Sequence, residues 1–225
     1  MQNWGTEYAA NHGGLNPFQL VWRDTWEWDR DHAGFSEFAA SEPDVERIWE
    51  AGQLSDEGKY SEAFQILLEL AESGSVWSMF EVGRCYELGL GVTRDDSERE
   101  QWYYRAFKGG SQLAMLKCAE IAALRCDYEL CDDILKVGVG QDWPPALFWL
   151  AWYRHKQSES RATYNSIRPL LKSAAKRGHP AARCFLAHFM VRGKFGRLWV
   201  PIGFLLVARW SFQFNSDRKL PMKVV

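Results

Sequence analysis

The sequence predicts an all-α protein, a superhelix of about four to five helix-turn-helix repeats. Three observations lead there. Apolar residues recur at i, i+3, i+4, i+7 and i+8 in separate segments, a glycine closes each segment, and each segment neighbours a second apolar stretch rich in small residues.

The segments align on their glycines. Residues 63–74 carry Ala63, Ile66, Leu67, Leu70 and Ala71 before Gly74, and residues 99–110 carry Arg99, Trp102, Tyr103, Ala106 and Phe107 before Gly110. A weaker copy has Leu130, Cys131, Ile134 and Leu135 before Gly138, and the last has Ile167, Leu170, Leu171, Ala174 and Ala175 before Gly178. This spacing puts the side chains on one helical stripe, and the glycine suits a C-terminus that needs positive φ. The partner helices read Ser78-x-x-x-Val82-Gly83-x-x-Tyr86, Ala114-x-x-x-Cys118-Ala119, Ala146-x-x-x-Leu150-Ala151 and Ala182-x-x-x-Leu186-Ala187-x-x-Met190. A small residue beside a large one lets two helices approach closely. The closing glycines lie 36, 28 and 40 residues apart, about the length of a helix pair that hides its apolar face only by stacking on its neighbours.

Residues 78–110 add a loop, Gly89-x-Gly91-Val92-x-x-Asp95, followed by Trp102-Tyr103-x-x-Ala106-Phe107-x-x-Gly110. This resembles the Sel-1-like repeat, a relative of the tetratricopeptide repeat, with Arg99 standing where that family has alanine. Gly58-x-Tyr60-x-x-Ala63 resembles the start of a tetratricopeptide second helix. The third repeat (112–138) lacks the Gly-Val loop, and the fourth (144–178) has a polar loop from Gln157 to Arg161. The resemblance covers residues 44–196. It implies a right-handed α-solenoid that scaffolds protein contacts, with no catalytic residues and no cofactor to carry over.

Outside the repeats, residues 1–43 hold Trp4, Trp22, Trp26 and Trp28 and are expected to form an N-terminal cap, a strap or a docking segment. Residues 197–225 form an apolar stretch, 197–214, and a basic tail. That stretch is expected to pack on the last repeat or a second copy. The alternative is a membrane surface, for which Trp199, Phe204, Leu205, Trp210 and Phe212 are the candidate contacts. It is too short, and interrupted by Arg209, to suit a bilayer span.

Of the 225 residues, 47% are hydrophobic and 25% charged, and twelve are Trp, a mix that suits a packed core rather than a disordered chain. The net charge of −2 conceals a dipole. Residues 1–100 hold 21 acidic and 7 basic side chains, and residues 101–225 hold 8 and 20. The basic half is compatible with nucleic acid, but Arg168, Lys172, Lys176 and Arg183 equally suit solvated helix faces, and the acidic half would repel phosphates. Nucleic acid is therefore not the expected partner.

Catalytic chemistry finds little support. Cys85, Cys118, Cys126, Cys131 and Cys184 form no Cys-x-x-Cys pair and are expected to be buried or half-buried fillers in a reducing compartment. No basic or apolar leader opens the chain, so a cytoplasmic location is expected. His179 reads as a helix-junction residue, Asp95-Asp96 as a helix start, and Gly89-Leu-Gly-Val lacks the Lys-Ser/Thr of a phosphate loop. Asp29/Asp31 and Asp132/Asp133 are weak cation candidates without converging ligands.

The expected function is protein binding on the first helices of each pair, which would line the concave face. Large or charged residues off the packing stripe are the candidates: Trp77, Phe80, Glu81, Arg84 and Lys117, then Phe148, Trp149, Trp152 and Arg183. Two alternatives to that expectation are an immunity-type inhibitor of a cognate toxin and a membrane-peripheral assembly factor using residues 197–214.

Overall fold

A computed structural model describes Thr25, Asp29, Arg30 and residues 42–217, with side chains as far as 208. Residues 45–217 form ten α-helices and, among the described residues, no strand. They are α1 (Val45–Asp56), α2 (Tyr60–Glu72), α3 (Val76–Leu88), α4 (Asp96–Lys108) and α5 (Gln112–Leu124). They continue as α6 (Tyr128–Gly140), α7 (Pro144–Gln157), α8 (Arg161–Lys176), α9 (Pro180–Val191) and α10 (Val200–Asp217). The described helices fall into two compact units, divided between Val137 and Gly138. α1 to α5 pack each on the next in the first unit, and α7 to α10 do so in the second, as an all-α repeat solenoid requires.

One turn chemistry recurs at the junctions. Gly74, Gly110 and Gly178 take positive φ (108°, 100° and 101°), and the next backbone N–H donates five residues back: Ser75 to Leu70, Ser111 to Ala106, His179 to Ala174. That same residue caps the following helix. Ser75 accepts from the Ser78 N–H, Ser111 from the Ala114 N–H, and the His179 Nδ1 from the Ala182 N–H, each at 3.1 Å. His179 is a helix-junction residue, as its position after Gly178 predicts, and its ring stacks on Phe148 at 4.5 Å. Asp95 likewise opens α4, accepting from the Ser97 and Glu98 N–H groups.

Gly138 departs from the expected pattern. It sits inside α6, which runs on to Gly140, and the left-handed residue is Asp142 (φ 55°). Here the Trp143 N–H donates to the Gly138 carbonyl, so the turn is conserved in form without a glycine at its corner. Cys126 (φ 59°) serves in the same way after α5. Leu130, assigned to the packing stripe, faces solvent, while Cys131, Ile134 and Leu135 are buried.

The helix-contact motif is realised in the first unit. A Cβ on Gly83 would lie 2.6 Å from the Tyr103 ring, so glycine is what admits α4 against α3. The core there joins Ala51, Phe64, Leu67, Ala71, Val82, Cys85 and Trp102, with Tyr86, Leu90 and Val92 against it. Gly91, at φ 73°, lays the loop on α2: a Cβ would fall 2.1 Å from the Tyr60 carbonyl oxygen. Arg99, the departure from the family pattern, is half-buried and held by Asp96 and Glu100.

The core of the second unit is aromatic. Tyr164, Phe185, Phe189 and Phe195 meet at centroid separations between 5.3 and 6.3 Å. α10 packs on α9 where Gly203 gives room, since a Cβ there would meet the Val191 nitrogen at 2.6 Å. No described helix is long and apolar enough to cross a membrane. Trp4, Trp22, Trp26, Trp28 and Asp31 lie outside the described residues, as do the side chains of Trp210 and Phe212.

Candidate protein-binding face

The cap positions Ser75, Ser111, Trp143 and His179 set a common register for α3, α5, α7 and α9, with steps of 36, 32 and 36 residues. Two, six, nine and thirteen residues after the cap fall on one helical stripe. On α3 the stripe reads Trp77, Glu81, Arg84 and Leu88, and on α5 Leu113, Lys117, Glu120 and Leu124. On α7 it reads Pro145, Trp149, Trp152 and Lys156, and on α9 Ala181, Phe185, His188 and Arg192. Six of the nine residues expected from sequence lie at this register on α3, α5 or α7: Trp77, Glu81, Arg84, Lys117, Trp149 and Trp152.

In the first unit the stripe is charged and self-paired. Arg84 reaches Glu81 at 2.8 Å. Lys117, nearly buried, crosses from α5 to Glu87 on α3 at 3.0 Å and lies 3.6 Å from Glu120. The Tyr103 hydroxyl donates to the other Glu87 oxygen at 2.6 Å. Burial works to raise the Glu87 carboxyl, but Lys117 and the Tyr103 hydroxyl together hold it below the usual carboxylate range. Burial dominates at Glu81 and raises its carboxyl despite Arg84. Trp77 is half-buried, and its backbone N–H donates to Glu42. Leu88 and Leu124, one repeat apart, are 57% and 70% exposed.

In the second unit the stripe is aromatic and basic. Trp152 is half-buried, edge-on to Phe185 at 4.9 Å, with the Lys156 ammonium 4.8 Å above its ring. Burial, and then the charge of Arg192, lowers the His188 imidazole below its usual range. His155, beside it, is lowered by burial as well and keeps its ring against Phe189.

Several expected contacts sit elsewhere. Phe80 and Phe148 occupy the row beside the stripe, 3% and 0% exposed, so both are core side chains. Trp149 is 6% exposed under Tyr153, and Lys117 is enclosed by its carboxylates. Arg183 is exposed but off the stripe, its Nε donating to the Ala175 carbonyl. Trp199 is half-buried, and Phe204 and Leu205 are exposed. Leu88, Glu120, Leu124, Lys156, His188 and Arg192 share the register and are not among the residues expected from sequence. The cap spacing was the signal that would have found them, because it carries a register that glycines at irregular intervals do not.

Three of the cysteine thiols are buried, Cys184 is half-buried and Cys126 is exposed, against the expectation that all five are fillers. Burial pushes the thiols of Cys85 and Cys184 up to about 11 and those of Cys118 and Cys131 up to about 12. Such thiols are poor nucleophiles at neutral pH. Asp132 and Asp133 pair with Lys136, and no cluster of three metal-ligating residues occurs among the described residues.

The helical fold has counterparts among solved structures. One is a Sel1 repeat protein from Oxalobacter formigenes, 16% identical, with a TM-score of 0.55 over 68% of this chain and 62% of that one. Another is a protective antigen of uropathogenic Escherichia coli displaying an SLR fold, 22% identical, with a TM-score of 0.60 over 93% of this chain and 45% of that one. The fold is the Sel1-like repeat. The Sel1-like likeness is one of fold, and the chain spans less than two thirds of either counterpart's length. No protein-family model and no curated protein matches the sequence.

Proposed function

We propose that this Sel1-like repeat chain is a non-catalytic scaffold whose first helices, in each unit taken by itself, offer protein-binding side chains at one register after the cap. One observation carries the reading. At nine and thirteen residues after each cap, the first helices carry large or charged side chains that are half-buried or exposed: Arg84 and Leu88, Glu120 and Leu124, Trp152 and Lys156, His188 and Arg192. Leu88 and Leu124 illustrate it, since an exposed leucine repeated at one register marks a contact surface better than scattered ones do.

The contacts proposed are Trp77, Glu81, Arg84, Leu88, Leu124, Trp152, Lys156 and His188, with the buried Phe80, Lys117, Phe148 and Trp149 supporting them from beneath. Affinity capture from the native cell, with mass spectrometry, identifies the partner. Its affinity is then measured for Leu88→Asp and Trp152→Ala. Each variant should weaken binding about 30-fold, a typical loss of about 2 kcal/mol at an interface anchor, with helix content unchanged. Unchanged affinity in both would remove the stripe as the binding face.

A further inference from the structure

The geometry points to a second docking surface, built from α8 and α10, that fits an anionic lipid bilayer. On α8, Arg161, Arg168, Lys172 and Lys176 lie at i, i+7, i+11 and i+15, one stripe of the helix. Arg161, Lys172 and Lys176 are exposed, and none of the four has a carboxylate partner among the described residues. Other cations of the chain meet carboxylates, as Arg47 does Glu69 and Arg125 does Glu100. Among the described residues no carboxylate answers this row, and an anionic headgroup layer would.

The stripe is joined to an apolar surface. Arg168 lies 4.8 Å over the Trp199 ring, at the turn where the chain enters α10. Beyond it α10 buries Gly203 against α9 and turns Phe204 and Leu205 outward, 59% and 71% exposed, with Leu198 beside the turn at 90%. Ile202 and Val207 flank them at 43% and 39%. Cations plus a half-buried tryptophan plus protruding hydrocarbon match a headgroup layer above acyl chains. A nucleic acid would answer the cations and leave Phe204 and Leu205 in water. A second copy would answer the leucines, but its own identical cations would face these. The bilayer satisfies both at once, lying on the surface, since no described helix is long and apolar enough to cross it.

The test is co-sedimentation of the full chain with vesicles of phosphatidylcholine containing phosphatidylserine, against phosphatidylcholine alone. Binding should appear on the anionic vesicles and fade as salt shortens the Debye length. Phe204→Ser with Leu205→Ser, and separately Lys172→Glu with Lys176→Glu, should each lower the partition coefficient about tenfold or more. All four residues are exposed, and circular dichroism and melting of both double variants should match the parent chain. Three results overturn the proposal: no binding to anionic vesicles, loss in the charge variant with none in the apolar one (a polyanion site), or self-association abolished by the apolar variant without vesicle binding. The Leu88→Asp chain should bind vesicles normally, which keeps this surface distinct from the partner stripe.

Discussion

Glu87 shows how far a single side chain can be read. Three helices' worth of chemistry converge on it: its own place on α3, the Tyr103 hydroxyl from α4 and the Lys117 ammonium from α5. Because its folded-state carboxyl lies below its unfolded value, it contributes stability that is present above the unfolded pKa of about 4.3 and lost as pH falls through the folded one. Glu87→Gln should therefore be about 2 kcal/mol less stable than the parent at pH 7, a loss typical of a hydrogen bond to a charged group. That difference should shrink on acidification below about pH 4. Urea melts of both chains across the acid range measure it, and a gap that widens with acid would show the opposite sign of coupling. Sequence alone placed Lys117 among partner contacts because a lysine off the packing stripe reads as exposed. Nothing local says that a carboxylate thirty residues earlier will enclose it.

At the scale of the helix and its junctions, much more was legible. The 3.6-residue periodicity placed the second helices, and glycine placed three of their ends, since only a few residues adopt positive φ cheaply. Gly138 misled because the turn it was expected to make is carried by Asp142, a short polar residue that tolerates the left-handed region. Leu130 lies one position before Cys131 and faces solvent at 50% exposure, so the buried stripe of α6 is narrower than the spacing suggests. For α10 the sequence left packing and membrane readings open, and the helix does in part what the first requires: Gly203 seats it on α9 while Phe204 and Leu205 remain outside. Replacing that glycine tests the seat. Gly203→Ala forces a Cβ to within 2.6 Å of the Val191 nitrogen and 2.8 Å of the Met190 Cβ. It should cost about 2 kcal/mol, as overpacking a tight contact does. Hydrogen exchange should show the amides of α10 losing protection while those of α3 and α4 keep theirs. Equal protection in both chains would mean the close approach carries no stability.

For the molecule as a whole, two properties are legible in the sequence: the serial repeat and the opposite charge of the two halves. Cations meet carboxylates along α3 and α5, and the row of cations on α8 meets none among the described residues. What the sequence did not expose was the register shared by the first helices, because it is set by Ser75, Ser111, Trp143 and His179, three different residue types doing one geometric task. That register is the basis of the functional reading. It is tested most directly by hydroxyl-radical footprinting of the chain, free and saturated with its captured partner. Leu88, Leu124, Trp152 and His188 should lose reactivity on binding while Tyr104 and Leu130, exposed on second helices, keep theirs. Protection confined to Tyr104 and Leu130 would contradict it.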